Sequence, residues 1–470
     1  MPIRRSSFSL PLVLAALLAS CSSNDAPTPG PNVVLLVIDT LRADRLPFYG
    51  HDRQTAPFLD SLASRGAVFE RAWSTSSWTA PSTASIFTGL YPNQHGLTQG
   101  MKLVQSVQRD KAPTLTLNRI PDAIETLPEL MRSRGYRTFG IADNPNICAE
   151  EGFDAGFDRF QNYDLKDAPV VNETLAGWAE EIRASPHWFV FFQYTDPHFP
   201  YQERAPWFEH PNKRRKENRD KTAREKSISN LYAVYDSEIN YADDHIRQAF
   251  ELIGVDDQTV IIMVADHGEE LLQRSDDYQH EFKLYSELVH VPLFIVDPTA
   301  QQVRPRVPHT VSIIDILPTI RQIIGAPASR IDFGRSLVSY YADTAEIPDD
   351  RTVYSMRERL EILGGQKKWA VIQQADKLIV NENERGTIPE LYDLNADWGE
   401  LNNLAETQID RVEELSAKLE AFRSLENVYD AVQIEKTLTE AEAANLDNIG
   451  YGGGHDDPNE DEEDGQEKDE

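Results

Sequence analysis

Seven side chains of types that ligate metals or carry protons stand just behind four apolar runs of this chain. Asp39 follows VVLLVI (33–38), and Asp143 and Asn144 follow TFGIA (138–142). Asp196 and His198 follow WFVFFQY (188–194), and Asp266 and His267 follow VIIMVA (260–265). An Asp behind one strand is usually a helix N-cap. Seven such residues behind four runs exceed what capping needs. The carboxyl edge of an open α/β sheet is also where ligand crevices form. A further stretch, SSWTAPSTASIFTG (76–89), sets Thr79 two residues before Pro81. Pro81 suits the first turn of a helix and Gly89 its stop. The start of such a helix offers N–H donors and a positive dipole end to an anion, and Ser82 and Thr83 add hydroxyls. Thr79 reads either as the N-cap or as an alcohol presented at an anion site. As a nucleophile it needs a nearby base or a lowered pKa. Taken alone, the stretch favours the cap.

Something must bring these residues together. The runs 33–38, 138–142, 188–194, 260–265 and 291–296 are short, apolar and separated by helical patterns. They read as strands of a parallel sheet buried on both faces, which makes the fold class α/β with flanking helices. This body spans 33–345. Beyond it, 367–380 has strand character and 390–406 is rich in turn residues. Ile409, Val412, Leu415, Leu419 and Phe422 recur at helical spacing. A small α+β subdomain over 346–451 is expected, and the acidic run 452–470 reads as a disordered tail.

The 470 residues carry 46 Lys and Arg against 77 Asp and Glu, a net charge of −31. Nucleic acid is excluded as the main partner, because its backbone calls for a basic surface. One local exception is KRRKENRDKTAREK (213–226), with eight basic residues against three acids. It reads either as a steering surface for an anionic substrate or as an exposed helix.

At the N-terminus, Arg4 and Arg5 precede an apolar stretch from Leu10 to Leu18, too short to span a membrane. Leu18-Ala19-Ser20-Cys21 resembles a bacterial lipobox. An ordinary secretory signal is the alternative. The expectation is a signal peptide over 1–20, lipidation at Cys21, a tether to residue 32, and membrane attachment through the lipid. Ser22 after the Cys fits sorting to the outer membrane, facing periplasm or exterior. Cys148 is then left without a disulfide partner and reads as a packed small residue.

Nine stretches together resemble the sulfatase family of the alkaline phosphatase superfamily, over about residues 32–451. In family order they begin with NVVLLVIDTLRADRLPFYG (32–50), WTAPSTASIFTGLYPNQHG (78–96), GYRTFGIADNPNI (135–147) and YTDPHFPY (194–201). YDSEINYADDHI (235–246), VADHGEE (264–270) and HEFKLYSELVHVPLFI (280–295) follow. VSIIDILPTI (311–320) and ELYDLNADWGELNNL (390–404) complete the set.

The resemblance implies an alkaline-phosphatase-like sandwich with a mostly parallel sheet. It also implies one divalent ion, zinc, manganese or calcium, held by Asp39, Asp266 and His267 with Thr79 as a fourth ligand. Thr79, His198 and His280 are the expected catalytic residues. Ser82, Thr83, Asn144, Lys283 and His95 are expected at the substrate, with structural contacts the alternative for Asn144, Lys283 and His95 and a solvated surface position a further one for Lys283. The implied activity is metal-dependent hydrolysis, or transfer, of sulfate or phosphate esters. Two departures bear on this. Family sulfatases carry Cys or Ser, any residue, Pro, Ser, Arg, and oxidise the first residue to formylglycine. Here Thr79 and Thr83 stand at the first and last of those positions, and Thr oxidation would give a ketone. Many members pair two Asp where this chain has Asp39-Thr40. Threonine at the nucleophile position is similar to phosphoethanolamine transferases and lipoteichoic-acid synthases, and favours a phospho-threonine intermediate. Sulfate-ester hydrolysis without formylglycine is the first alternative. A non-catalytic binder of anionic glycans or lipids is the second.

Overall fold

The computed structural model describes residues 30–100, 114–209, 222–274, 278–280, 283–329, 331, 333–343, 347–348, 350–358, 366–383, 386–425 and 429–437. The signal segment, Cys21, most of the tether, residues 213–221 of the basic run and the acidic tail lie outside them. No helix among the described residues is long and apolar enough to cross a membrane.

A nine-stranded sheet forms the body. Its strands are β1 (Val33–Ile38), β2 (Ala67–Trp73), β3 (Arg137–Ala142), β4 (Arg159–Asn162), β5 (Trp188–Tyr194), β6 (Val260–Val264), β7 (His290–Val291), β8 (Leu293–Val296) and β9 (Arg306–Ser312). The spatial order is β9, β2, then β7 and β8 end to end, then β6, β1, β5, β3, β4. β1 lies between β5 and β6, parallel to both. Val37 is level with Gln193 and with Val264. This register sets Asp39, Asp196 and Asp266 at one edge, where the strand order turns outward in both directions and ligand crevices form. β1 is wholly buried because helices cover both faces.

The sheet is mostly parallel, with one correction to the sequence reading. The run 291–296 is not a parallel strand. It is interrupted at Pro292, and β8 runs antiparallel to both β2 and β6. Proline has no N–H to give a ladder, so the strand breaks there. β2, β4 and β9 were not legible as strands, since Glu70, Arg71, Arg159, Arg306 and His309 break their apolar runs.

The C-terminal sheet has four antiparallel strands: β10 (Thr352–Glu358), β11 (Lys367–Gln373), β12 (Asp376–Asn383) and β13 (Gly386–Asp393). The segment 367–380 is thus a hairpin turning at Gln374, not one strand. β13 takes the start of the segment expected to be turn-rich. The helix Ile409–Arg423 buries Leu415, Leu419 and Phe422, whereas Ile409 is 59% exposed. Trp73, Leu288 and Val289 of the body share an apolar cluster with Val353, Ala370 and Ile379 of this sheet. The last described strand, Val432–Thr437, leaves the subdomain and pairs with Thr114–Arg119 of the body.

Candidate active site

The helix Thr79–Thr88 starts one residue earlier than a cap at Thr79 requires. Trp78 is the extended N-cap residue (φ −147°, ψ 142°) and its side chain makes no capping bond. Thr79 is the first helical residue, and its Oγ1 turns away from the helix. It lies 3.2 Å from His267 Nε2, 3.5 Å from Asp39 Oδ2 and 3.4 Å from Asn144 Nδ2. The cap alternative is therefore wrong on geometry. Gly89 ends the helix at φ 67°, where a side chain would be strained.

Asp39, Asp266 and His267 offer ligand atoms that all lie within 4.8 Å of one another, fully buried. Asp39 Oδ2 accepts from Asn144 Nδ2 at 2.7 Å and from Gln193 Nε2 at 3.3 Å. Its Oδ1 has no hydrogen-bond partner. Asp266 Oδ1 accepts from the backbone N–H of His267 at 2.8 Å, and its Oδ2 is left without one. His267 Nδ1 lies 2.8 Å from the Gly268 carbonyl. A carbonyl only accepts, so Nδ1 carries the proton and Nε2 presents its lone pair to the cluster. Burial, then the Asp266 charge, raises Asp39 to about 6, and burial raises Asp266 to about 7. Burial, then His280, lowers His267 to about 3, so its ring is neutral. Two orphaned carboxylate oxygens facing an unprotonated imidazole nitrogen are the donor set of a divalent cation, and these residues fit one.

Thr40 does not replace the second Asp of the family pair as a ligand. Its hydroxyl donates to its own neighbour's carbonyl, Asp39 O, at 2.7 Å. Its backbone sits at φ 57°, a left-handed conformation costing roughly 1–2 kcal/mol for a side-chain-bearing residue. Tyr235 Oη donates to Thr40 O at 2.6 Å and helps to hold it there.

Beside the cluster, three imidazoles lie in a row. The ring of His280 is 4.6 Å from that of His267 and 5.0 Å from that of His198. His280 Nδ1 is 3.1 Å from Glu269 Oε1. Burial, then His198, then Arg357 push His280 well below the usual imidazole range. Trp78 meets the His280 ring edge-on at 5.9 Å.

The remaining expected residues divide. Asn144 is at the site. Thr83 is buried in the first turns of the helix with its Oγ1 unpartnered. Ser82 Oγ donates to Ser76 O at 2.9 Å and so braces the loop before the helix. His95 is spent inside the fold: Nε2 lies 3.1 Å from Ser85 Oγ and Nδ1 accepts from the Leu97 N–H at 3.2 Å. Lys283 is tied to Glu270 at 2.7 Å. Neither His95 nor Lys283 has a described bond to the cluster. Asp143 accepts from Thr195 Oγ1 at 2.6 Å and Asp196 from the Ala168 N–H at 3.1 Å, so these two make bonds within the fold, although neither is the N-cap of a helix.

Three residues at the site were missed. Gln193 is the one polar residue inside the otherwise apolar or aromatic β5, and that was its signal. Glu269 lies in the VADHGEE stretch, two residues after His267, and that position was its signal. Arg357 carried no signal, lying in an unremarkable strand of the other subdomain.

The family model described as Sulfatase matches residues 31–326, more than half of the chain, and the chain belongs to the sulfatase family. It is 21% identical to arylsulfatase K of Xenopus laevis over 86% of this chain and 85% of the relative. It is 25% identical to the multifunctional alkaline phosphatase superfamily protein PehA of Trinickia caryophylli, over 80% and 91%. Among solved structures, the phosphonate monoester hydrolase of Agrobacterium radiobacter shares the fold. Its TM-score is 0.66 at 19% identity, with 88% of this chain and 99% of that chain covered. As a member of this family the chain is an ester hydrolase.

Proposed function

We propose that the chain hydrolyses phosphorus esters, or transfers their phosphoryl group, through a covalent intermediate on Thr79. The observation carrying this is the Thr79 hydroxyl. It faces Asp39 and His267 within 3.5 Å rather than capping its helix. Asp39, Asp266 and His267 would hold one divalent cation with Thr79 beside them, and the cation would supply positive charge that polarises the ester and acidifies the hydroxyl. Thr79 Oγ1 forms the new P–O bond as the bond to the leaving oxygen breaks, and Asp39 Oδ2 is the nearest carboxylate for the hydroxyl proton. His280 and His198 face that reaction centre as the groups that exchange a proton with the leaving oxygen and with the incoming water or alcohol. Asn144 orients both Asp39 and Thr79. Attack by water on the phospho-threonine then restores the free hydroxyl.

Sulfate-ester hydrolysis is the second reading, favoured by relatives named arylsulfatase. Thr79 cannot become a hydrated aldehyde, which weighs against it. The buried ligand set weighs against a mere binding protein. A panel of aryl phosphate monoesters, diesters, phosphonates and sulfates, assayed with zinc, manganese and calcium, separates the three. Turnover of phosphorus esters supports the proposal, turnover of sulfates alone replaces it with the second reading, and binding without turnover leaves only the third.

We also propose that the mature chain begins at lipidated Cys21 and is held at the outer membrane. The basic n-region, short apolar core and small residues before Cys21 support this. Cys21→Ala should lose acyl labelling and become soluble. Continued membrane partitioning would place the anchor elsewhere.

A further inference from the structure

The substrate is an anion, yet the segment that presents Thr79 carries no positive charge. Residues 74–89 contain neither Lys nor Arg. The neighbouring Asp39, Asp266 and Glu269 are acidic and buried. A cation bound by the two aspartates and His267 would offset part of this, but nothing in that segment would grip the oxygens on the far side of the ester.

Arg357 comes from the other subdomain to this point. It lies in β10 and is only 3% exposed. Its guanidinium carbon is 3.6 Å from the centroid of the Trp78 ring. Trp78 is the residue before Thr79 and meets the His280 ring edge-on at 5.9 Å. Arg357, Trp78, His280 and His267 thus form one continuous line of ring contacts from the C-terminal sheet to the cluster. The placement is rigid. Met356 N donates to Thr75 O at 2.8 Å and Ser355 Oγ donates to Ser74 O, so β10 is pinned to the loop that feeds the Thr79 helix. Arg357 Nη1 donates to Glu358 O at 3.2 Å, which sets the plane of the group. The charge is felt at the site, since it contributes to pushing the His280 pKa down. A guanidinium stacked on an indole spends its face on the ring and keeps its edge donors in the plane, the geometry for gripping two oxygens of a tetrahedral anion.

We propose that Arg357 is the substrate-anion residue of this site, binding the non-bridging oxygens of the ester group that Thr79 attacks. This rests on the reading of the site as one for anionic esters. It also gives the C-terminal subdomain a part in the chemistry: without β10 the body has its nucleophile and its metal ligands but not this grip.

The test measures binding as well as turnover. Inorganic phosphate and vanadate are titrated, by calorimetry and as inhibitors, into the metal-loaded wild type, Arg357→Gln and Arg357→Lys. Loss of a charge-assisted pair to an anion should weaken both ligands by about 10- to 100-fold in Arg357→Gln. Arg357→Lys keeps the charge but not the fork and should fall between. Metal affinity should be unchanged in both. If Arg357→Gln fails to fold, the Lys variant decides: an affinity equal to wild type there overturns the assignment. Phosphate binding within twofold of wild type in Arg357→Gln overturns it too, as does a wild type that binds neither anion. A wild type that binds phosphate through Arg357 but turns over no ester leaves this inference standing and removes the hydrolase reading. Ester turnover that is indifferent to Arg357 does the reverse.

Discussion

Raising the pH should tighten metal binding steeply, and the structure gives the size of the effect. Asp39 and Asp266 share a wholly buried site and are raised to about 6 and about 7 from an ordinary value of 3.8. A cation must displace whatever protons they hold. Between pH 5 and pH 8 the competition from two such groups falls by about 10³, so the apparent association constant should rise by about 10³-fold. Two aspartates at the ordinary value would change it by less than about 1.5-fold over the same span. His267, lowered to about 3, is neutral throughout and adds nothing. The sign carries over to the fold. A carboxyl with a raised folded pKa binds its proton more tightly when folded. The metal-free protein therefore loses stability from these two groups as pH climbs from about 4 to about 7, and metal restores it. Calorimetric titration of the chelator-stripped protein with zinc or manganese at four pH values, at fixed ionic strength, measures the slope. An affinity flat to within threefold would refute the reasoning, because the aspartates would then be ionised before metal arrives.

Two further perturbations follow from single contacts. Glu269→Gln removes the carboxylate 3.1 Å from His280 Nδ1. If His280 moves protons, turnover of alkyl esters should drop by roughly 10²-fold and that of p-nitrophenyl esters much less, since a good leaving group needs no proton. An unchanged ratio between the two substrates would make Glu269 a packing residue only. Gly268→Ala places a Cβ 2.0 Å from the Glu287 carbonyl oxygen, and the Gly268 carbonyl is what orients His267. The clash should cost about 1–3 kcal/mol and loosen metal binding at least tenfold, read as a lower melting temperature with a reduced shift on adding metal.

How much of this was legible depended on what local sequence can encode. β1, β3, β5 and β6 announced themselves because strands buried on both faces must be apolar throughout, and their register then fixed where Asp39, Asn144 and Asp266 meet. β2 and β9 were hidden because their polar residues mimic loop composition, and the direction of β8 was hidden because periodicity carries no information on parallel or antiparallel pairing. Thr79 looked like a cap because capping and catalysis use the same residue type at nearly the same place. Only the one-residue offset to Trp78 and the turn of Oγ1 toward His267 separate them. His95 could be read either at the substrate or as a structural contact, and a histidine that follows the Thr79 helix in sequence packs on it, at Ser85. Arg357 was invisible because its place beside Trp78 is made by the docking of a second sheet, a long-range event that no stretch of chain announces.

If the proposed route is right, Thr79 becomes covalently phosphorylated during turnover. The metal-loaded protein should be mixed with an activated phosphodiester, quenched in acid within a turnover, and its 78–89 peptide mapped by mass. A phosphoryl or phosphoester adduct should appear on Thr79. Thr79→Ala should show no adduct and lose most turnover while keeping its metal, and Thr79→Ser should keep part of the activity. Near-wild-type turnover by Thr79→Ala with no adduct on the wild type would contradict the proposed route.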